Sequence, residues 1–598
     1  MLQSYFNQQE LPLFFITMES FAEFVTDVRI IDCICRKRVS EAQKRHKLHH
    51  QKSFSKGVIY IQPSNEIYNL TPPRREWKHL GANGRYIELS NGKKQLITTY
   101  DRNLKSLLWT INEDRRTNKE TPYLVALNNF ISTVKQKAVD KDYSLSSPRV
   151  IPIFKKKRKD GKSECRPICL FENLCDSVII SLANKYLSKI FDKYFYEDSL
   201  AFRPKRMFHG KIVTTCHHDA VTLISEYLSK HKKRRIYVAE CDMQKFYDTV
   251  DHEIVSQEFL NLLSIVKTNN PSISFDDIAR IFLSYLDCYD FQRDVLIKNG
   301  DNNYWRNQGI PNGAFSWIDL FSNDDGIVDS KKYTLGVPQG GALSGLIANI
   351  VINKVDKTVV PNLHSKNDLY VRYCDDMLLL STNKKRCKKL FKQYSQSLET
   401  VHLRPHLPEK VTFGTKEYWN SKTKSVYQWS MYNRQLGSRW IGFVGYEINR
   451  NGEIRIRKSS IKKEKRKQKK IVSDIFELTY KKTRANDGSL ESSYRGTLMS
   501  MAVGRATLWN YEYLNNEFCW INGFKMLNDN PIVKTQIRDL DRCRNHVVKR
   551  SNKRLSRLGT NVFGEIIQAG DSKEPSYIRY YGKPFSYYYH YLKNVTSK

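Results

Sequence analysis

The sequence predicts an α+β fold, and three observations carry that reading. Short strand-like runs, "PRVIPIF", "IYVAEC" and "MLLLS", recur between helical patterns such as "CDSVIISLANKYLSKIFDKYF". Turn chemistry beside such runs, Asp160-Gly161 and Asn451-Gly452, predicts antiparallel hairpins. Beyond about residue 460 the chain turns basic and helical.

Length and charge bound the rest. At 598 residues the chain is too long for one compact core, and 40% hydrophobic residues suffice to bury several. The formal charge of +37 would be self-repelling without a polyanion, which makes nucleic acid the default partner. No apolar run is long enough to span a bilayer. "LPLFFI" at 11–16 is too short, is flanked by Glu10 and Glu19, and lacks the basic start and small-residue cleavage site of a secretory signal. Twelve cysteines without paired C-x-x-C spacing read as reduced thiols of a cytoplasmic protein; neither Cys33-x-Cys35 nor "CHHD" at 216–219 makes a convincing metal site.

Along the chain, residues 1–145 mix short helical and strand-like pieces with turn clusters and show no chemistry. From 146, "PRVIPIFKKKRKDGKSECRPICLFENL" reads as two strands joined by a basic turn, with a helix after it. "IYVAECDMQKFYDTVDH" is a strand entering a helix. Long helical patterns follow, and then "IKNGDNNYWRNQGIPNGAF", an insertion or long loop within about 255–330. "YTLGVPQGGALSGLIANIVINKVDK" is a Gly-rich turn before a helix, and "RWIGFVGYEINRNGEIRIRKSS" is a hairpin turning at Asn451-Gly452. Arg455 to Lys470 holds ten Lys/Arg against one acid, Glu464, and opens a basic helical module suited to clamping nucleic acid.

The chemistry lies in "RYCDDMLLLS" at 372–381. Two like charges, Asp375 and Asp376, persist side by side when a cation neutralises them or when they lie at a solvated turn. Asp276-Asp277 and Asp324-Asp325 read as such turns or helix starts. If the first pair holds divalent metal, a third carboxylate should come from another strand, because Mg²⁺ takes oxygen ligands in near-octahedral array. Asp242, ending "IYVAEC", is the candidate, and the Met243 carbonyl can add an oxygen. Two ions so held suit in-line phosphoryl displacement, the chemistry of polymerases and nucleases.

"CDMQKFYDTVDH", "LGVPQGGALSGLIAN" and "VRYCDDMLLLS", in that order, resemble the A, B and C motifs of reverse transcriptases, particularly the prokaryotic ones related to group II intron proteins. The resemblance covers about 146–455 well and the later helices loosely. It includes the fingers hairpin "KKKRKDGKSECRPI", "DSLAFRP", the D-motif-like "HLRPHLPEK" and the primer-grip-like "WIGFVGYEI". It implies a right-hand polymerase: an N-terminal extension at 1–145, fingers and an antiparallel palm at 146–455, and a basic helical thumb with the C-terminal region at 456–598.

The same resemblance implies site roles. Asp242 and Asp375 match ligands of two Mg²⁺ ions, with Mn²⁺ as a substitute, and Asp376 is the adjacent acid that tunes the site and binds metal transiently. Arg166 and one of Lys155, Lys156 and Lys157, with Lys157 preferred, would meet the triphosphate. Tyr247 matches the aromatic that excludes a 2′-hydroxyl. Gln339, Gly340 and Gly341 match the loop beside template and incoming base, and Lys410 matches a general acid for pyrophosphate release. Arg203, Arg455, Arg457, Lys458, Lys462 and Lys463 would hold nucleic acid. The implied partners are dNTPs, an RNA template and a DNA product, with no membrane; oligomeric state and partner proteins stay open.

The departures from the family narrow the type. Ser344-Gly345 stands where intron-type enzymes usually carry Ser-Pro, and "YCDD" replaces the commoner "YADD"; both are small-for-small changes. The retron signatures, the paired-cysteine endonuclease and a ribonuclease H constellation are not recognisable. The N-terminal extension, the insertion and the "GEIRIRKSSIKKE" tail resemble the "unknown group" enzymes, many of which defend bacteria against phage using a noncoding RNA. The alternatives are an intron maturase, a catalytically silent RNA scaffold, and an untemplated or protein-primed polymerase using tyrosines of "SYIRYYGKPFSYYYHYLKN".

Overall fold

The basic turn at Asp160-Gly161 closes a hairpin between β1 (Arg149–Lys157) and β2 (Ser163–Leu170), with Gly161 at φ +79° where a side chain would be strained. The computed structural model describes residues 18–53, 66–81, 84, 86–88, 94–96, 99–208, 211–317, 322–323, 326–327, 333–406, 412, 414–430, 440–479, 520–558 and 584–596. Over these the chain is a mixed α/β protein in two compact units, Met1–Cys33 with Asn128–Arg439, and Ile34–Leu127 with Trp440–Lys598.

In the first unit β2 leads into α1 (Leu174–Phe191), capped by the Asn173 side chain. β3 (Tyr237–Cys241) follows, then a turn of helix at Phe246–Thr249, and then α2 (His252–Asn269) and α3 (Asp276–Asp287). Of the two readings for Asp276-Asp277, turn or helix start, the pair is a helix start, whereas Asp324-Asp325 lies outside the described residues. The segment expected to be a loop is built into the fold instead. It forms a short helix, Asn302–Asn307, and a strand, β4 (Gly313–Phe315), that pairs in parallel with β2. Trp305 supplies the reason: it is buried, its Nε1 donates to the Lys298 carbonyl at 2.8 Å, and its ring covers the place a Cβ on Gly313 would take. Apolar burial outweighs a polar, Gly-rich composition there.

The Gly-rich turn precedes α4 (Ser344–Val359); then come β5 (Asp368–Tyr373), β6 (Asp376–Ser381), α5 (Lys384–Glu399) and β7 (Lys424–Gln428). These strands form one antiparallel sheet in the order β5-β6-β3-β7. Helix α5 packs on β3, β6 and β7 and also contacts α4. Met377 to Ser381 are all buried, so β6 is covered on both faces, as its unbroken apolar run requires.

In the second unit "RWIGFVGYEINRNGEIRIRKSS" forms three strands, not the single hairpin expected: β8 (Trp440–Phe443), β9 (Tyr446–Asn449) and β10 (Ile454–Ile456). The additional turn uses Val444 and Gly445, both at positive φ, while Asn449 organises the expected turn by accepting from the Asn451 and Glu453 amides. Helices α6 (Lys458–Thr479), α7 (Pro531–Leu558) and α8 (Phe585–Thr596) follow. On α6, Ile461, Glu464 and Gln468 are buried on one face while Lys462, Lys463, Arg466 and Lys467 are exposed. Asp541 of α7 accepts from the Phe585 and Ser586 amides that begin α8. The described cysteines are buried and form no disulfide with one another, and no described helix is long and apolar enough to cross a membrane.

Candidate active site

β3 ends at Cys241, paired with Met377 of β6, so the next positions in register are Asp242 and Asp376. The β5–β6 connection contains only Cys374 and Asp375, with Cys374 held at φ +60°. Pairing and a tight turn thus bring the three predicted acids to one sheet edge. Their electrostatics follow from this crowding. Burial, the Asp375 charge and Asp242 push the Asp376 carboxyl up to about 7, and Asp376 also hydrogen-bonds Asp242. Burial, then Asp242, raises Asp375 as well, with Cys374 and Lys422 opposing.

Asp242 is fixed by Thr423, whose hydroxyl accepts from the Asp242 amide at 3.0 Å and donates to its carbonyl at 3.1 Å. The Lys422 ammonium donates to Asp242 Oδ2, and His406 Nε2 lies 3.4 Å from that same oxygen. Met243 is buried and forms an antiparallel bridge with Pro405. Among the described residues no group of three or more His, Cys, Asp or Glu is arranged to hold a metal ion as the side chains stand. The donor chemistry nevertheless suits one: clustered, mutually repelling carboxylates are hard oxygen ligands, and one of them already takes a cationic partner in Lys422.

The Tyr247 ring stands beside this edge. Its hydroxyl is 3.4 Å from Cys374 Sγ, a partner that the alanine of "YADD" would not supply, and its carbonyl accepts from Val337 at 2.8 Å. The Gly-rich loop is locked from several sides. Gln339 donates to Asp248, and its carbonyl accepts from Cys169 at 2.9 Å. Gly340 has φ +97°, and a Cβ on Gly341 would fall 1.9 Å from the Tyr285 hydroxyl, which bonds Ser344. At Gly345 a Cβ would lie 2.7 Å from the Phe202 ring.

On the β1–β2 hairpin Arg166 and Lys157 are exposed. Lys155 and Lys156 both pair with Glu164, at 2.8 and 3.3 Å, because a register shift between Phe154 and Lys156 falls there. The Lys155 charge is felt at both Asp248 and His406, and that of Arg166 at Asp248. Lys410 lies outside the described residues.

The expected nucleic-acid contacts divide. Arg203 is a correction: its guanidinium is buried and donates to Asp192 and to the Tyr196, Ser199 and Phe195 carbonyls, so it ties the protein interior. Arg455 pairs with Glu447 at 2.7 Å and stacks on Trp440. Arg457, Lys458, Lys462 and Lys463 are exposed. Arg455, Lys458, Lys462 and Lys465 line a groove of about 510 Å³ in the second unit, with Pro531 and Ile532 opposite. Of the C-terminal tyrosines, Tyr588 and Tyr589 are buried in packing, and Tyr589 donates to the Asn528 carbonyl at 3.0 Å. Residues 576–583 of that stretch lie outside the described residues.

Sequence reasoning missed a support beneath the turn. Arg372 and Asp356 form a fully buried pair, Tyr370 also donates to Asp356, and Arg372 Nη1 donates to the Cys374 carbonyl at 3.1 Å and to Asn349 at 3.3 Å. The available signal was an arginine inside the apolar run "LYVRY" and an aspartate inside an apolar helix. Lys422 and His406 were also missed: His406 sits within the D-motif-like "HLRPHLPEK", where only Lys410 was singled out, and no motif surrounds Lys422.

Residues 154–448 match the family model described as reverse transcriptase (RNA-dependent DNA polymerase). No curated protein matches the chain. Similar solved structures include telomerase from Candida albicans in complex with a TWJ fragment of telomeric RNA, at 13% identity over 76% of this chain and 69% of that one, with a TM-score of 0.32. The apo telomerase from Candida tropicalis is 12% identical over 78% and 79% of the two chains, with a TM-score of 0.35. Scores of this size carry no argument about this chain. The family match spans the Asp242 strand, the Gly-rich loop and the Asp375-Asp376 turn, and a reverse-transcriptase domain is therefore present over residues 154–448.

Proposed function

We propose that the chain is an RNA-directed DNA polymerase of right-hand architecture, with its catalytic centre at Asp242, Asp375 and Asp376. The observation that carries this reading is the convergence of those carboxylates on one sheet edge inside the matched domain. Asp242 and Asp375, with the Met243 carbonyl, would hold two Mg²⁺ ions, and Asp376 would tune the site. Bound there, divalent cations would polarise a primer hydroxyl and stabilise the leaving oxygen. The protein supplies the rest. Arg166 and Lys157 on the exposed hairpin suit a triphosphate, Tyr247 limits room at the sugar, and the locked Gln339–Gly340 loop offers backbone to template and base. Lys410 is proposed as the proton donor to pyrophosphate, and the exposed Arg457, Lys458, Lys462 and Lys463 as contacts to the RNA template and DNA product.

Asp375→Asn with Asp376→Asn tests the reading. Incorporation of dNTPs on an RNA template should vanish while RNA binding stays near that of the parent; a variant that remains active, or that unfolds, removes the catalytic assignment. We further propose a role in antiphage defence with a noncoding RNA as template or scaffold, resting on the resemblance to "unknown group" enzymes. A plaque assay comparing the parent with the double variant checks it, and equal phage growth on both would reject it.

A further inference from the structure

We propose that Lys422 is a tethered counter-ion of the carboxylate cluster, one that competes with a divalent cation for Asp242. The inference rests on the metal-site reading above and goes beyond it by naming the group a metal must displace.

The geometry supports a side chain free to move on a fixed base. The backbone around Lys422 is pinned: Ser421 Oγ bonds the Tyr418 and Thr423 carbonyls at 2.7 Å each, and Thr423 is bonded to both backbone groups of Asp242. Two residues on, Lys424 is anchored to the buried Glu240 at 3.1 Å. The Lys422 side chain, in contrast, is 62% exposed and reaches Asp242 Oδ2 from the solvent side. Its charge also favours the ionised forms of Asp375 and Asp376. His406 Nε2, 3.4 Å from both the ammonium and Asp242 Oδ2, flanks the contact. Among the described residues Lys422 is thus an exposed cation set against three crowded carboxylates. An exposed ion pair of this kind is weak enough to be displaced, and a divalent cation bound at Asp242 would take the oxygen that Lys422 now holds.

The test is Mn²⁺ binding to the full-length protein without nucleotide or nucleic acid, read from the paramagnetic resonance signal of free Mn²⁺. Lys422→Gln should tighten Mn²⁺ binding by roughly twofold to fivefold, the size an exposed ion pair allows. Lys422→Arg, which keeps the charge, should stay near the parent. In EDTA, Lys422→Gln should melt below the parent, because the carboxylate repulsion is no longer offset. Unchanged or weaker Mn²⁺ binding in Lys422→Gln, or an EDTA melt equal to the parent's, overturns the proposal. Asp375→Asn separates the two ideas: if it binds Mn²⁺ as well as the parent does, the metal-site reading fails. If it loses Mn²⁺ while Lys422→Gln binds like the parent, only the counter-ion fails.

Discussion

Arg372 grips Asp356 through Nε and Nη2 in a core where neither side chain meets solvent, and its remaining nitrogen holds the Cys374 carbonyl that begins the carboxylate turn. A charge pair so deep is strongly destabilising when halved, because the survivor is buried without a partner. Asp356→Ala should therefore cost about 3–5 kcal/mol, measured by urea denaturation. Replacing both residues, as Arg372→Met with Asp356→Leu, should restore much of that stability but not polymerisation, since the Cys374 carbonyl loses its donor. Full activity in the double variant would show that the pair only packs the core.

Tyr247 sits with its hydroxyl against Cys374 and its carbonyl bonded to Val337, so the ring is held from both ends. Tyr247→Ala should open space for a 2′-hydroxyl and raise ribonucleotide use relative to deoxyribonucleotide by about 10- to 100-fold. The check is the ratio of kcat/KM for ATP and dATP; an unchanged ratio would take sugar discrimination away from this residue.

Gly345 abuts Phe202, whose Cγ and Cβ, the atoms next to its backbone, lie 2.7 and 3.1 Å from where a Cβ would sit. Gly345→Ala should lose about 1–3 kcal/mol by overpacking. Adding Phe202→Ala should recover part of that loss if the ring is the obstacle, and denaturation of the single and double variants decides it.

Glu164 gives a pH signature outside the carboxylate cluster. Burial alone would raise its carboxyl, but Lys155 and Lys156 override that and hold it down at about 2. A depressed acid contributes stability above its unfolded value, near 4.5, and loses it as pH falls through the folded value. Acid melts between pH 5 and 2 should show Glu164→Gln losing less stability than the parent, by on the order of 1 kcal/mol once solvent screening of the exposed lysines is allowed for. Parallel pH profiles would mean the lysine contacts are absent in solution.

The strand and turn signals around the acids were readable because they are local: an apolar run, a two-residue connection and a Gly-rich loop each announce themselves within about ten residues. Other features needed the folded chain. Arg203 lies in a family-like "FRP" segment and reads as a nucleic-acid contact, yet its donors meet carbonyls contributed by residues 192–199. The stretch near Trp305 is polar in composition, and one buried indole decides its structure. Lys422 is separated from Asp242 by 180 positions, a partnership set only by the pairing of β7 with β3.

That pairing has a practical side. Lys422 and Lys424 flank Thr423 with equal side chains and opposite surroundings, the first 62% exposed and the second 11%. An amine-selective acylating reagent should reach the first and spare the second, so the edge of the sheet carries its own chemical handle. Acylation of Lys422 that quickens on adding Mn²⁺ or Mg²⁺ would report its release from Asp242 without any nucleotide in the tube.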